Sequence, residues 1–297
     1  MSDPSTGETP SPARRSDNGA GLSSIGALVR QHDRDRFQTA LFAPARHCEA
    51  LFALYAFNYE IARVRESVRE PVLGLIRLQW WREAIDVAYS GAAPRRHEVV
   101  GPLTALIRGR SLSRAHFDRL IDTRERDFAD APPATLAELE DYAEGSSARL
   151  IQLAIEVLDA TTPPVQAAAS EIGIAYAFSG LIRAMPVHAA MGRLWIPDDL
   201  TREAGLDPRD YAALRATPAL RRAVEMMAAE ATRRLATARS LRRYVPRAAL
   251  PALLPARIAA RALIRLERAG FDPFAGAGEG DPLQSWRLAL AALSGRF

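Results

Sequence analysis

The chain has 297 residues, 48% of them hydrophobic, which bounds it to one large domain or two small ones with a sizeable core. Its net charge is +4 and all 39 basic side chains are Arg, interspersed with 35 acids; without a concentrated basic block, the arginines are no argument for a nucleic-acid partner. A single cysteine, Cys48, excludes a disulfide within the chain and suits a reducing compartment.

Residues 1–22 are rich in Ser, Pro, Gly and Asp and lack an apolar stretch, so they read as a disordered tail and not a secretory signal. From there to residue 297 the apolar spacing is helical almost throughout, and period-2 alternation is scarce. No run of 18 uncharged apolar residues is present, so no membrane-spanning helix is expected. Leu51, Leu54, Tyr55, Asn58, Ile61 and Ala62 share one helical face. Pro71 suits the first turn of the next helix, which carries Leu73, Ile76, Leu78, Trp80 and Ile85. Phe117 to Phe128 reads as an amphipathic helix. Ala134 to Leu158 reads as one long helix, with Thr135 as N-cap and Glu138 three residues on. Pro163-Pro164 precede a small-residue helix, Val165 to Ile182, whose Ala and Gly side permits close helix packing or leaves room for a ligand. A loop is expected around Pro186 and Pro197, then helices near 218–243, 255–269 and 283–295. The fold class is all-α: about ten helices in a single domain over 23–297, with no linker long enough to divide it.

Four segments, spread over about residues 33–295, carry a resemblance. They are Leu54-Tyr55-Ala56-Phe57, Tyr142-Ala143-Glu144-Gly145, Ile182-Arg183 with Gly192-Arg193-Leu194-Trp195-Ile196-Pro197, and the intervening helices. In order and spacing they resemble the squalene/phytoene synthase superfamily, whose fold is a helical bundle around a central cavity. The resemblance implies, for active members, two facing helices that each present Asp-x-x-x-Asp. Spacing of i, i+4 puts both carboxylates of a motif on one helix face. The four carboxylates hold Mg²⁺, which makes a prenyl diphosphate a leaving group.

This chain departs from that pattern at both motifs. The first reads Ala62-Arg63-Val64-Arg65-Glu66, and the second reads Arg183-Ala184-Met185-Pro186-Val187-His188. Of the four carboxylate positions, Ala62, Glu66, Ala184 and His188, only Glu66 keeps an acid, too little to organise a Mg²⁺ cluster. No cofactor is expected; Mg²⁺ belongs to the reading of the chain as an active or divergent head-to-head prenyl diphosphate synthase. Pro186 is also expected to disturb the second helix. Asp118-x-x-x-Asp122 has the spacing but sits among Arg119, Arg124 and Arg126 and reads as a solvated ion-pair face. Asp33-x-Asp35 and Asp198-Asp199 read as helix caps.

The string Leu181-Ile182-Arg183-Ala184-Met185-Pro186-Val187-His188, with Glu60 to Val68, Gly74 to Trp81 and Gln284-Ser285-Trp286-Arg287, looks like the non-enzymatic branch of the superfamily. That branch includes the mitochondrial assembly factor for respiratory complex I. The resemblance implies assistance to NADH:ubiquinone oxidoreductase biogenesis, with complex I subunits or assembly intermediates as partners. It also implies a cytoplasmic location, peripheral on the inner membrane, or the matrix side in a mitochondrion. A third reading is non-catalytic binding of an isoprenoid or anionic lipid, with Tyr59, Arg63, Tyr142, Arg183 and Arg193 as candidate ligand-binding residues, since fixed guanidinium groups bind phosphate without metal. The alternative for Arg63 and Arg65 is pairing with Glu60, Glu66 and Glu70. Arg257, Arg261, Arg265 and Arg268 make a basic helix face, suited to a membrane surface or to solvent. No second histidine stands at zinc spacing from His188, which reads as structural or hydrogen-bonding. Cys48, in an apolar helix, does not read as a nucleophile.

Overall fold

A computed structural model describes residues 22–275 and 283–297. The expected disordered tail thus lies outside the described residues, apart from Leu22. The described residues form sixteen α-helices and no strand. In chain order these are α1 (Ser24–His32), α2 (Arg34–Ala40), α3 (Ala45–Ala62), α4 (Pro71–Ser90), α5 (Val100–Gly109), α6 (Arg114–Thr123), α7 (Leu136–Ala143) and α8 (Arg149–Val157). There follow α9 (Pro163–Arg183), α10 (Met185–Ala190), α11 (Asp198–Ala204), α12 (Pro208–Ala212), α13 (Pro218–Ser240), α14 (Leu250–Leu253), α15 (Pro255–Arg268) and α16 (Gln284–Leu293). The count exceeds ten because the short helices α10, α11, α12 and α14 occupy stretches between the expected ones, the loop expected around Pro186 among them, and because 134–158 divides in two.

Local chemistry sets many of the boundaries. Ser23 Oγ accepts from Gly26 N at 3.0 Å and starts α1. Asp33 ends α1 and caps α2, its Oδ1 accepting from Arg36 N at 3.1 Å. Thr135 caps α7 as expected, accepting from Glu138 N at 3.2 Å, while Glu138 reaches back to Ala134 N at 3.0 Å. Asp198 and Asp199 are not caps: Pro197 stands at the N-cap of α11 without a side-chain bond, and Asp199 instead accepts from Leu136 N at 3.0 Å, joining α11 to the start of α7.

Two expected helices are corrected. The segment 117–128 is α6 followed by a 3₁₀ helix, Arg124–Phe128. The segment 134–158 is α7 and α8 separated by a π-helical turn, Glu144–Ala148. Each reflects packing that periodicity does not encode. At the π turn, a Cβ on Gly173 of α9 would come 2.3 Å from Ala148 Cα, so α9 touches the turn backbone to backbone. The small-residue face of α9 therefore serves close packing at Gly173. At Gly180 the same face is open, with nothing within 4 Å of an added Cβ.

The described helices share one apolar core running from Ile25 to Phe297. Phe52, Phe57, Phe117 and Phe178 are fully buried in it, each contributing about 2–3 kcal/mol of transfer free energy. The centre is α9, packed against α8, α13, α15 and the π turn. By length and composition α9 is apolar enough to cross a membrane, contrary to the sequence expectation; its burial among these neighbours is that of a core helix. The arginine-bearing α15 buries Ile258, Ala259 and Leu263 against the bundle.

Candidate functional site

Helix α3 carries the first motif position to its last residue and stops there. Arg63 N still bonds to Tyr59 O at 3.0 Å, but Glu66 N bonds to Arg63 O, and Arg65–Ser67 is a 3₁₀ turn. Ala62 and Glu66 are thus not one α-helical turn apart, and Glu66 is exposed. Arg63 folds back on its own helix. It donates to Tyr59 Oη at 3.3 Å, lies 5.3 Å over the Tyr59 ring and pairs with Glu60 at 3.4 Å. Tyr59 stacks on His32 with ring centroids 4.3 Å apart. Pairing with Glu60 is therefore the arrangement for Arg63. Arg65 differs, because it sits 5.9 Å over Phe128 and forms no ion pair among the described residues.

Helix α9 ends at Arg183, and α10 restarts beyond Ala184 with Pro186 in its first turn. Proline has no N–H for the carbonyl four residues back, which accounts for the interruption. His188 N bonds to Ala184 O at 2.9 Å, so the two second-motif positions remain one turn apart, without a carboxylate on either. Gly192, at φ +68°, turns the chain so that Arg193 N reaches His188 O at 2.8 Å. Trp195 then gathers the site: Tyr142 lies 4.6 Å from its ring, Arg193 lies 5.1 Å over it, and His188 is 6.1 Å away. Burial, then the charge of Arg193, lowers His188 to about 4, so its imidazole is neutral at pH 7. Its Nδ1 is buried without a hydrogen-bond partner, which corrects the expectation of a hydrogen-bonding histidine for that nitrogen.

Between these two ends lies a polar network that the sequence did not reveal. Tyr142 donates to Asp127 Oδ1 at 2.7 Å and accepts from Arg124 at 3.0 Å; Arg124 and Asp127 are 3.6 Å apart. A 3₁₀ turn eclipses residues three apart, which puts Arg124 and Asp127 on one side. Arg124 is therefore turned inward, against the expectation of a solvated face; that face exists, but is made by Arg119 and Arg126 with Asp141, Glu138 and Glu144. Asp118 and Asp122 pair with Arg114 and Arg82 as expected for solvated ion pairs. Asp35 is not a cap. It accepts from Arg183 at 3.3 Å, from Tyr176 Oη at 3.2 Å and from Gln284 at 2.8 Å. Arg36 pairs with Asp33 at 2.8 Å beneath the Tyr176 ring. Burial raises the Tyr55, Tyr142 and Tyr176 hydroxyls well above the usual range, so they stay protonated. Burial opposes the charge on Arg36, and Asp33 together with the Tyr176 and Tyr55 side chains more than offsets it.

The structure thus brings Tyr142, Arg193 and His188 together around Trp195, holds Arg183 on Asp35, and keeps Tyr59 with Arg63 at the end of α3. A Mg²⁺ cluster does not fit these residues. The motif positions offer one exposed carboxylate, and the second-motif pair has Arg193 beside it. Among the described residues no three His, Cys, Asp or Glu side chains are grouped to hold a metal ion. Cys48 is equally unsuited as a nucleophile: burial, then Glu49, raises its thiol, and its Sγ donates to the carbonyls of Ala40 and Ala43. A recess of about 710 Å³ lined by Arg108, Arg110, Glu156 and Asp159 includes none of the candidate residues.

The sequence pattern of the squalene/phytoene synthase family matches residues 29–293. The chain is 31% identical over 262 residues to NADH dehydrogenase (ubiquinone) complex I assembly factor 6 of Bos taurus, covering 86% of this chain and 78% of that protein. It is 27% identical over 181 residues to presqualene diphosphate synthase of Rhodopseudomonas palustris, covering 60% and 64%. Among solved structures, a dehydrosqualene synthase with bound ligand superposes with a TM-score of 0.80 at 16% identity, covering 91% of this chain and 94% of that one. The squalene synthase HpnC of Alicyclobacillus acidocaldarius gives 0.75 at 21% identity, covering 84% and 94%.

Proposed function

Because this chain belongs to the squalene/phytoene synthase family, we propose that it is a non-catalytic member that assists biogenesis of respiratory complex I. The observation that carries this reading is the replaced site within a retained fold. Helix α3 stops at Ala62, Glu66 is exposed, and Ala184 and His188 occupy the second motif beside the break at Pro186. Four carboxylates on two facing helices are the chemical requirement for activating a prenyl diphosphate in the active enzymes, and this arrangement does not supply them. Identity of 31% with a complex I assembly factor over most of both chains supports the same direction. The partners are then subunits or intermediates of NADH:ubiquinone oxidoreductase. The place of action is the face of the inner membrane where that complex is built, cytoplasmic in a bacterium and matrix-side in a mitochondrion.

The deciding experiment is gene deletion, with assembled NADH:ubiquinone oxidoreductase and isoprenoid products measured in the same cells. Loss of the assembled complex with unchanged carotenoid and hopanoid content is expected. Unchanged complex with lost isoprenoids overturns the proposal and favours a prenyl synthase, the activity named for the relative at 27% identity.

A second reading, retention of a phosphate-bearing isoprenoid or anionic lipid without turnover, has one observation in its favour. Arg124 Nε is buried and has no acceptor, while Arg36 lies close enough for the two cations to repel. An anion between them would relieve both. A rise in melting temperature on adding farnesyl diphosphate, abolished by Arg124→Met, is the expected signature; no rise at millimolar ligand rejects this reading.

A further inference from the structure

Helix α16 has two unlike faces. Leu288 and Ala291 are buried against the bundle, at 1% and 3% exposure. Trp286, Leu290 and Leu293 are 71%, 63% and 75% exposed. Spacing of i, i+4 and i+7 places these three on one stripe of about 60°. Leu283, three residues before Trp286, is 52% exposed and continues the line. Isolated exposed apolar residues are ordinary, but a continuous stripe of large ones at the outer face of a helix marks a contact surface.

The surroundings say what kind. The segment just after α16 is tied to the turn that follows α13 by a bond from Arg242 Nε to Gly295 O at 3.2 Å. Arg239, Arg257 and Arg296 are exposed there, and none of them has an acidic partner among the described residues. They stand close enough that Arg257 is lowered by burial and then by Arg239, Arg296 and Arg242 in turn. Tyr244, beside Arg242, is 51% exposed with Arg243 4.6 Å over its ring. Many arginines elsewhere, such as Arg82, Arg119 and Arg234, are paired with acids; in this group the guanidinium groups repel one another. A protein partner would need a matching apolar groove and a matching acidic cluster. An anionic bilayer supplies both by its nature, an apolar layer under a sheet of negative charge, and Trp and Tyr favour that boundary.

We propose that the outer stripe of α16, with the Arg239–Arg242–Arg257–Arg296 cluster, is a docking surface for an anionic phospholipid bilayer. The helix lies in the interface plane, with Trp286, Leu290 and Leu293 inserted and the arginines on the headgroups. This rests on the preceding reading only for where the protein works, since lipid binding is measured with no complex I present.

The test is co-sedimentation of the full chain with vesicles of phosphatidylcholine alone or with phosphatidylglycerol added. Binding to the anionic vesicles at low salt, and little to phosphatidylcholine alone, is expected. It should weaken at about 0.5 M NaCl, where the Debye length falls to about 4 Å. Leu290→Glu, and separately Arg239→Glu with Arg257→Glu, should each lower the bound fraction by at least about tenfold, since each basic charge near such a surface contributes about a fourfold to tenfold change. All substituted side chains are exposed, so circular dichroism of the variants should match the parent. Absence of binding at low salt overturns the proposal. So does binding that survives both variants, or a change of oligomeric state by Leu290→Glu with lipid binding intact, which would assign the stripe to a second copy of the chain. Any of these failures leaves the deletion phenotype, and hence the assembly role, to stand or fall separately.

Discussion

Asp127→Ala should destabilise this protein by about 3–5 kcal/mol. Asp127 is 7% exposed, accepts from the Tyr142 hydroxyl at 2.7 Å and faces Arg124 at 3.6 Å. A hydrogen bond to a charged group contributes about 1.5–3 kcal/mol, and its loss is the smaller part. The larger part is the Arg124 cation, which remains in the interior with no compensating charge and already has an unpartnered Nε. Urea titration at pH 7 measures the change, and a fall in melting temperature of about 10 °C should accompany it. Tyr142→Phe removes the hydrogen bond but leaves the ion pair and should cost about 1–2 kcal/mol. The double variant should cost less than the sum, because both single changes delete the same bond. Replacing Arg124 and Asp127 together by Leu should be milder than Asp127→Ala alone, since no stranded charge remains. A cost below about 1 kcal/mol for Asp127→Ala would refute the reasoning, because it would mean that Arg124 is solvated in the folded state.

Three further outcomes are expected. The lowered His188 means that between pH ~6.5 and ~4 the unfolded chain binds a proton that the folded chain does not. Stability should therefore fall as pH drops through that window, by about 1–2 kcal/mol once partial exposure is discounted, and His188→Gln should flatten that part of a urea-midpoint profile. Gly173→Ala should cost roughly 3 kcal/mol, because the new Cβ meets backbone at 2.3 Å, whereas Gly180→Ala, with open space, should stabilise by about 0.5–1 kcal/mol; calorimetry of the pair checks both. Millimolar Mg²⁺ should leave the melting temperature unchanged, since a site that binds only the folded state would raise it.

Features decided by neighbours in sequence were legible. Thr135 and Asp33 as caps, Pro71 opening α4 and Arg63 pairing with Glu60 all involve residues within four positions. Asp35 was misread as a cap because its partners Tyr176, Arg183 and Gln284 lie 141, 148 and 249 positions away. Arg124 was misread because a single tightened turn redirects it, and nothing in the charge pattern of 118–126 separates it from Arg119 and Arg126. The π turn depends on how closely Gly173 lets α9 approach, which is a property of two helices and not of either. The altered motifs were readable letter by letter, yet the stop of α3 at Ala62 was not, since the sequence there reads as helix on both sides.

The carboxylate of Asp35 joins three elements that the chain brings from far apart. Its Oδ2 holds Arg183 and Tyr176 of α9, while its Oδ1 holds Gln284 at the start of α16, where Gln38 and Ser285 add a second bond at 3.0 Å. The last helix and the arginine that ends α9 thus share one acceptor. Anything that draws Arg183 away from Asp35 alters the grip on α16. By reciprocity, anything that repositions α16 alters how tightly Asp35 holds Arg183 by the same free energy. The seating of the last helix and the C-terminal end of the core helix are thus coupled through a single carboxylate.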